Sequence, residues 1–160
     1  MTNYSIEEIK EIVFSIQNEW ATNIVKIGKA YLEKKNHIKI TEEFLDKLYF
    51  FEKGKILFKP TKAKKKQFRS NRAEFTSYFI GHNRVTEEDK GFILEPWKEV
   101  YFQNFDIISF KEIVVSMGNY FFTSYQNEKI KAEYTFGYTF DANRKLKIIF
   151  HHSSLPYDGG

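Results

Sequence analysis

The chain contains no cysteine, which excludes disulfides, thiolate nucleophiles and every zinc site built on sulfur. It lacks any uninterrupted apolar stretch of membrane length, and Met1-Thr2-Asn3-Tyr4-Ser5 runs directly into a charged amphipathic pattern without an apolar leader. A cytoplasmic protein that makes no membrane contact is expected. Glycine-rich phosphate loops are missing: Gly118 and Gly137 stand singly in β-like segments, where they mark close packing or a bend. There is no nucleophile elbow, no internal repeat, no low-complexity tract and no linker. Arginine is scarce, at four residues. The basic cluster Lys62, Lys64, Lys65, Lys66, Arg69 and Arg72 therefore reads as a solvated loop able to draw in a small anion, and no nucleic-acid partner is expected.

What is present is aromatic. Seventeen Phe and ten Tyr in 160 residues suit a curved sheet packed on a helix, with a pocket walled by rings and supplied with phenol hydroxyls. The length allows one domain, residues 1–160, with a substantial core.

Ser5 and Glu8 form a capping box, and Ile6, Ile9, Ile12, Val13, Ile16, Trp20, Ile24, Ile27 and Tyr31 then recur at helical spacing, so one long amphipathic helix is expected. Thr41, followed by Glu42 and Glu43, reads as the start of a second helix ending near Gly54. Ile56-Leu57-Phe58 reads as a strand stopped by Pro60, and the segment from Arg69 to Ile80 as either a short helix or a strand. Beyond Gly91 the pattern is β-rich: Phe92 to Leu94, Trp97 to Phe105, Glu112 to Ser124, Ile130 to Phe140 and Lys145 to Ser153. Helices followed by a meander give an α+β fold, with a curved, mainly antiparallel sheet wrapped around the first helix and a sheet face that dimerisation would cover.

Chemistry-bearing residues gather in Leu57-Phe58-Lys59-Pro60-Thr61, in Ser77-Tyr78-Phe79-Ile80-Gly81 and in the terminal His151-His152-Ser153-Ser154, where Pro156 stops strand pairing. Strand parity puts His152 and Ser154 on the core side with Leu146, Ile148 and Phe150, and His151 and Ser153 on the other; a twist or bulge near Pro156 would exchange them. A metal site needs three or four converging ligands, and the adjacent terminal histidines diverge. His82 with one terminal His and Glu133 is the remaining ligand set, and Glu133 is also the one carboxylate a cone-fold isomerase or dehydratase would use.

At these same positions the chain resembles the iota class of carbonic anhydrases, whose cone is similar to the calcium/calmodulin-dependent kinase association domain and to ketosteroid-isomerase-like (cystatin-like) proteins. The resemblance is carried by Trp20 with Ile24 and Ile27, Leu57 to Ala63, Gln67-Phe68-Arg69, Ser77 to Gly81, Met117-Gly118-Asn119-Tyr120, Glu133 to Tyr138 and His151 to Tyr157. It implies reversible hydration of carbon dioxide to bicarbonate. Thr61, Tyr78 and Ser153 would line the pocket, Ser154 would be a further substrate contact, and no metal or other cofactor is favoured. In the mechanism this pocket suggests, Ser153 and Tyr78 hold a water against the carbon of CO₂, Thr61 donates to an oxygen as charge develops and His151 helps receive the proton. His82, where the resemblance leads one to expect a second glycine after Gly81, is a departure. The alternative is a non-catalytic dimerisation or small-ligand module with the same hydroxyls.

Overall fold

The computed structural model describes residues 3–159, so Met1 and Thr2 of the N-terminal reading, and Gly160, lie outside it. Helix α1 spans Ile6–Leu32 and opens on the expected capping box: Ser5 Oγ accepts from the Glu8 amide while Glu8 accepts from the Ser5 amide. Ile9, Val13, Ile16, Trp20, Ile24 and Ile27 form its buried stripe, whereas Ile6 and Tyr31 at its ends are exposed. Gln17 is buried in the same stripe because its amide exchanges two hydrogen bonds with Asn104, at 2.8 and 2.7 Å.

Helix α2 (His37–Leu48) begins earlier than the sequence suggested. Asn36 is its cap, accepting from the Lys39 amide, and Thr41 sits inside the helix with its hydroxyl donated back to the His37 carbonyl. It ends at Leu48, well before Gly54: the backbone turns extended at Tyr49, which bridges to Ile148, and the Phe50 amide donates to the Ile148 carbonyl. After strand β1 (Leu57–Lys59), the ambiguous segment is helical: α3 covers Arg72–Ile80, capped by Asn71 and closed by Gly81 in the left-handed conformation. Phe92–Leu94 forms a single 3-10 turn instead of the expected strand, fastened by Trp97 Nε1 donating to the Phe92 carbonyl at 2.9 Å.

Strands β2 (Trp97–Phe110), β3 (Ile113–Ser124), β4 (Lys129–Phe140) and β5 (Leu146–Ser154) make an antiparallel meander, and β1 pairs parallel to β5, giving the order β1-β5-β4-β3-β2. The fold is the expected α+β cone: α1 lies across the concave face, and one aromatic-rich core fills the space between.

Register shifts set which side chains enter that core. In β2, Phe105 is extra between the Asn104–Gly118 and Asp106–Met117 pairs; the buried positions change from Val100 before it to Ile107 after it. This break in alternation explains why the strand runs on to Phe110 when its pattern seemed to stop at Phe105. Gly118 faces the bulge, where a Cβ would sit 2.3 Å from the Gln103 carbonyl oxygen. In β5, Gly137 pairs with Phe150 but Tyr138 pairs with Ile148, so Ile149 is the extra residue. The Phe150 ring lies across Gly137, where a Cβ would meet it at 2.0 Å.

Candidate active site

The Ile149 bulge decides the face of the terminal motif. Leu146 and Ile148 point inward before it, and His151 and Ser153 point inward after it. The plain parity reading, which put His152 and Ser154 on the core side, is thereby overturned: the phase changes at Ile149, upstream of the motif, and not near Pro156. His152 is exposed on the outer face. Ser154 also lines an outer cavity of about 410 Å³ with Met117, Asn119, Glu133 and Thr135, so the structure does not bring it to the other candidates.

Thr61, Tyr78, His151 and Ser153 do converge. Thr61 follows the Pro60 stop after β1, and its Oγ1 lies 2.5 Å from Ser153 Oγ. Tyr78, on the inner side of α3, accepts the Lys62 backbone amide at 3.1 Å. Burial pushes the Tyr78 phenol up, opposed by the Lys62 amide and the Thr61 hydroxyl, so Tyr78 keeps its proton at physiological pH. Lys59 Nζ donates to the Ser153 carbonyl at 3.0 Å, fixing the end of β5 beside β1. A cavity of about 100 Å³ reaches Tyr78 from solvent between Lys62, Phe92 and Glu95, with the Lys62–Glu95 ion pair at its rim (2.9 Å).

Sequence reasoning missed Tyr120, on the inner side of β3, which joins the two halves of the cluster. Its hydroxyl donates to Ser153 Oγ at 2.5 Å and lies 3.1 Å from His151 Nε2. His151 Nδ1 is 3.0 Å from Tyr49 Oη, and Tyr49 in turn accepts Trp20 Nε1 at 3.0 Å. Both ring nitrogens of His151 are thus occupied, and it is enclosed by Phe58 and Phe136 at 4.6 and 4.1 Å between ring centroids. Burial holds its pKa well below the ordinary histidine value, the His152 charge acting in the same direction. A proton acceptor open to the pocket is therefore not what the structure shows at His151. The signal for Tyr120 was present as a hydroxyl-bearing aromatic within Met117-Gly118-Asn119-Tyr120, but a single strand does not reveal which partner lies two strands away.

The basic loop also differs from a freely solvated one. Arg69 is fully buried, forked onto Asp89 at 2.7 and 2.9 Å, and Ser77 donates to the same carboxylate. Glu88 accepts the backbone amides of Lys64, Lys65 and Lys66 at 3.2, 2.9 and 2.9 Å. These two acids clasp the segment that presents Thr61. Glu133 is exposed on the outer face, leaving the isomerase reading without its carboxylate. Among the described residues no three His, Cys, Asp or Glu side chains are grouped to hold a metal, so His82, the terminal histidines and Glu133 do not assemble.

The family described as metal-independent carbonic anhydrase matches residues 11–155. The chain belongs to that family. A metal-independent carbonic anhydrase of Nostoc sp. is 36% identical over 149 residues, covering 91% of this chain and 73% of the relative. The crystal structure of a cyanobacterial iota-carbonic anhydrase complexed with bicarbonate superimposes with a TM-score of 0.88 at 34% identity, covering 92% of each chain. A nuclear transport factor 2-like protein from Salmonella enterica serovar Typhimurium shares the fold alone, with a TM-score of 0.61 at 9% identity over 98% of this chain and 96% of that one. As a metal-independent carbonic anhydrase, the chain is a lyase that interconverts carbon dioxide and bicarbonate without metal. The expected family, reaction and lack of a metal cofactor are borne out.

Proposed function

We propose that the reaction takes place where Thr61, Tyr78 and Ser153 converge. The observation that carries this reading is the meeting of three hydroxyls from three separate segments, Thr61 touching both Ser153 and Tyr78, with Tyr120 donating into Ser153 from behind. Hydration adds water to the carbon of CO₂, transfers negative charge to the CO₂ oxygens and releases one proton. Zinc enzymes meet the difficulty by lowering the pKa of a bound water to about 7. Here the contribution is orientation of both reactants together with neutral O–H donors aimed at the oxygens that gain charge. Thr61 and Ser153 part to admit the substrate, and Tyr78 donates from the third side. The bicarbonate bound by the cyanobacterial relative presents oxygens suited to such a set of donors. The proton leaves toward solvent past the rim, where the Glu95 carboxylate lies close enough for its charge to raise the Tyr78 pKa further.

The proposal extends to a cytoplasmic homodimer folded as a single domain. Phe105, Ile108, Phe110 and Met117 leave apolar surface exposed along β2 and β3, Phe105 being 84% exposed, and a second copy would cover it.

The test is stopped-flow CO₂ hydration on chelator-stripped protein with metal assayed in the same sample. Activity without stoichiometric metal is expected, falling about 10²- to 10³-fold in Tyr78→Phe and in Ser153→Ala while the circular dichroism spectrum is retained. Wild-type rates in both variants would remove the assignment.

A further inference from the structure

The relay behind Ser153 has a direction, and the direction is set in the first helix. An indole nitrogen only donates, so Tyr49 Oη must accept from Trp20 Nε1. Tyr49 has one proton of its own, and its other hydrogen-bonding neighbour is His151 Nδ1 at 3.0 Å. If Nδ1 carried a hydrogen, two N–H groups would point at one phenol oxygen and the Tyr49 proton would be left without an acceptor in a fully buried site. Nδ1 is therefore the acceptor and Nε2 carries the hydrogen. Nε2–H then donates to Tyr120 Oη at 3.1 Å, which agrees with Tyr120 donating onward to Ser153 at 2.5 Å.

We infer that Trp20 and Tyr49 are positioning residues that lock His151 as the Nε2–H tautomer, so that every donor from the indole to Ser153 points toward the Thr61 end. The inference rests on the active-site reading above and adds the sense in which that site works. A relay polarised this way offers hydrogens to an oxyanion and presents no free imidazole lone pair to a water. It favours stabilising charge on the oxygens of CO₂ over withdrawing a proton from the attacking water through His151. The surroundings agree: the Trp20 ring meets His151 edge-on at 5.8 Å, and the Phe58 and Phe136 rings close two other sides, while its ring nitrogens face the two phenols Tyr49 and Tyr120 and, among the described residues, no carboxylate hydrogen-bonds to it to stabilise an imidazolium.

The experiment is nitrogen NMR of protein labelled with ¹⁵N-histidine, with the His151 signals assigned by their loss in His151→Gln. The expected wild-type result at pH 7 is a neutral ring with the hydrogen on Nε2. In Tyr49→Phe the same ring is expected to show mixed tautomers, with kcat lower by about tenfold or more and KM little changed, as for other partners that orient an imidazole. A wild-type ring with hydrogen on Nδ1, or an imidazolium, overturns the inference, as does a Tyr49→Phe protein that keeps both tautomer and kcat. Ser153→Ala, measured alongside, separates the two levels. Loss of activity there with the wrong tautomer leaves the site standing and removes the relay, whereas full activity there removes the site and with it any catalytic part for Trp20 and Tyr49.

Discussion

Replacing Tyr120 by Phe removes one oxygen and nearly no volume, so its consequences isolate the hydroxyl. Tyr120 is 1% exposed, and its oxygen is the contact joining His151 Nε2 at 3.1 Å to Ser153 Oγ at 2.5 Å. Without it, Ser153 keeps Thr61 as a partner, but the His151 N–H loses its acceptor in a buried site. An unsatisfied buried donor of this kind costs about 1–3 kcal/mol. For a chain of this length each kcal/mol lowers Tm by about 2–4 °C, so a fall of about 2–12 °C is expected. Catalysis suffers separately, because Ser153 loses the donor that polarises it; kcat should drop about 100-fold, the lower end of the range for removing a donor at an oxyanion. Calorimetry gives the first number, and stopped-flow hydration at 10 °C, where the variant is still folded, gives the second. A variant with unchanged Tm and unchanged kcat would refute the reasoning throughout. A destabilised one with full kcat would confine Tyr120 to a structural part.

Two other expectations concern the whole molecule. His151 has a folded pKa well below the ordinary value near 6.5, so the unfolded chain takes up a proton as the pH falls through 6.5 while the folded chain does not. Stability is then full above about pH 6.5 and declines below it, by as much as about 1.4 kcal/mol per pH unit until the folded pKa is reached. Urea unfolding of the wild type and of His151→Phe from pH 7 to 5 measures this contribution, and parallel curves would contradict it. Phe105→Lys places a charge on the exposed apolar surface of β2 and should convert a dimer to monomers in analytical ultracentrifugation, whereas an unchanged dimer would move the interface elsewhere.

Much of the architecture was legible because it follows from local patterns: the Ser5–Glu8 capping box and the stripe from Ile9 to Ile27 define α1 without outside help. The start of α2 was misplaced because Thr41 with two following acids imitates a cap, while the working cap, Asn36, precedes a histidine and offers no acidic first turn. Thr61, Tyr78, His151 and Ser153 stood out by chemical type and by family resemblance. Their meeting was expected from the resemblance alone; the local pattern could not give it, since Ser153 faces inward only because Ile149 shifts the alternation, and that shift answers to Gly137 on a neighbouring strand. Tyr49, Trp20 and Tyr120 looked like ordinary core aromatics. What distinguishes them is where their polar atoms meet, which is a property of three elements at once.

The Phe105 bulge has a counterpart at Lys98, between the Trp97–Ser124 and Glu99–Thr123 pairs, and the two bear on how copies of this chain avoid one another. β2 is the long outer strand of the sheet, and an outer strand of that length is an open template for a further strand. The extra residues Lys98 and Phe105 interrupt its ladder with β3 twice, twisting the free edge away from a straight line and placing a lysine at one of the breaks. A growing, fibre-like stack joined strand to strand finds no continuous rail there. The second copy we propose would therefore meet the broad outer surface of the sheet, where contact can close on itself after two copies.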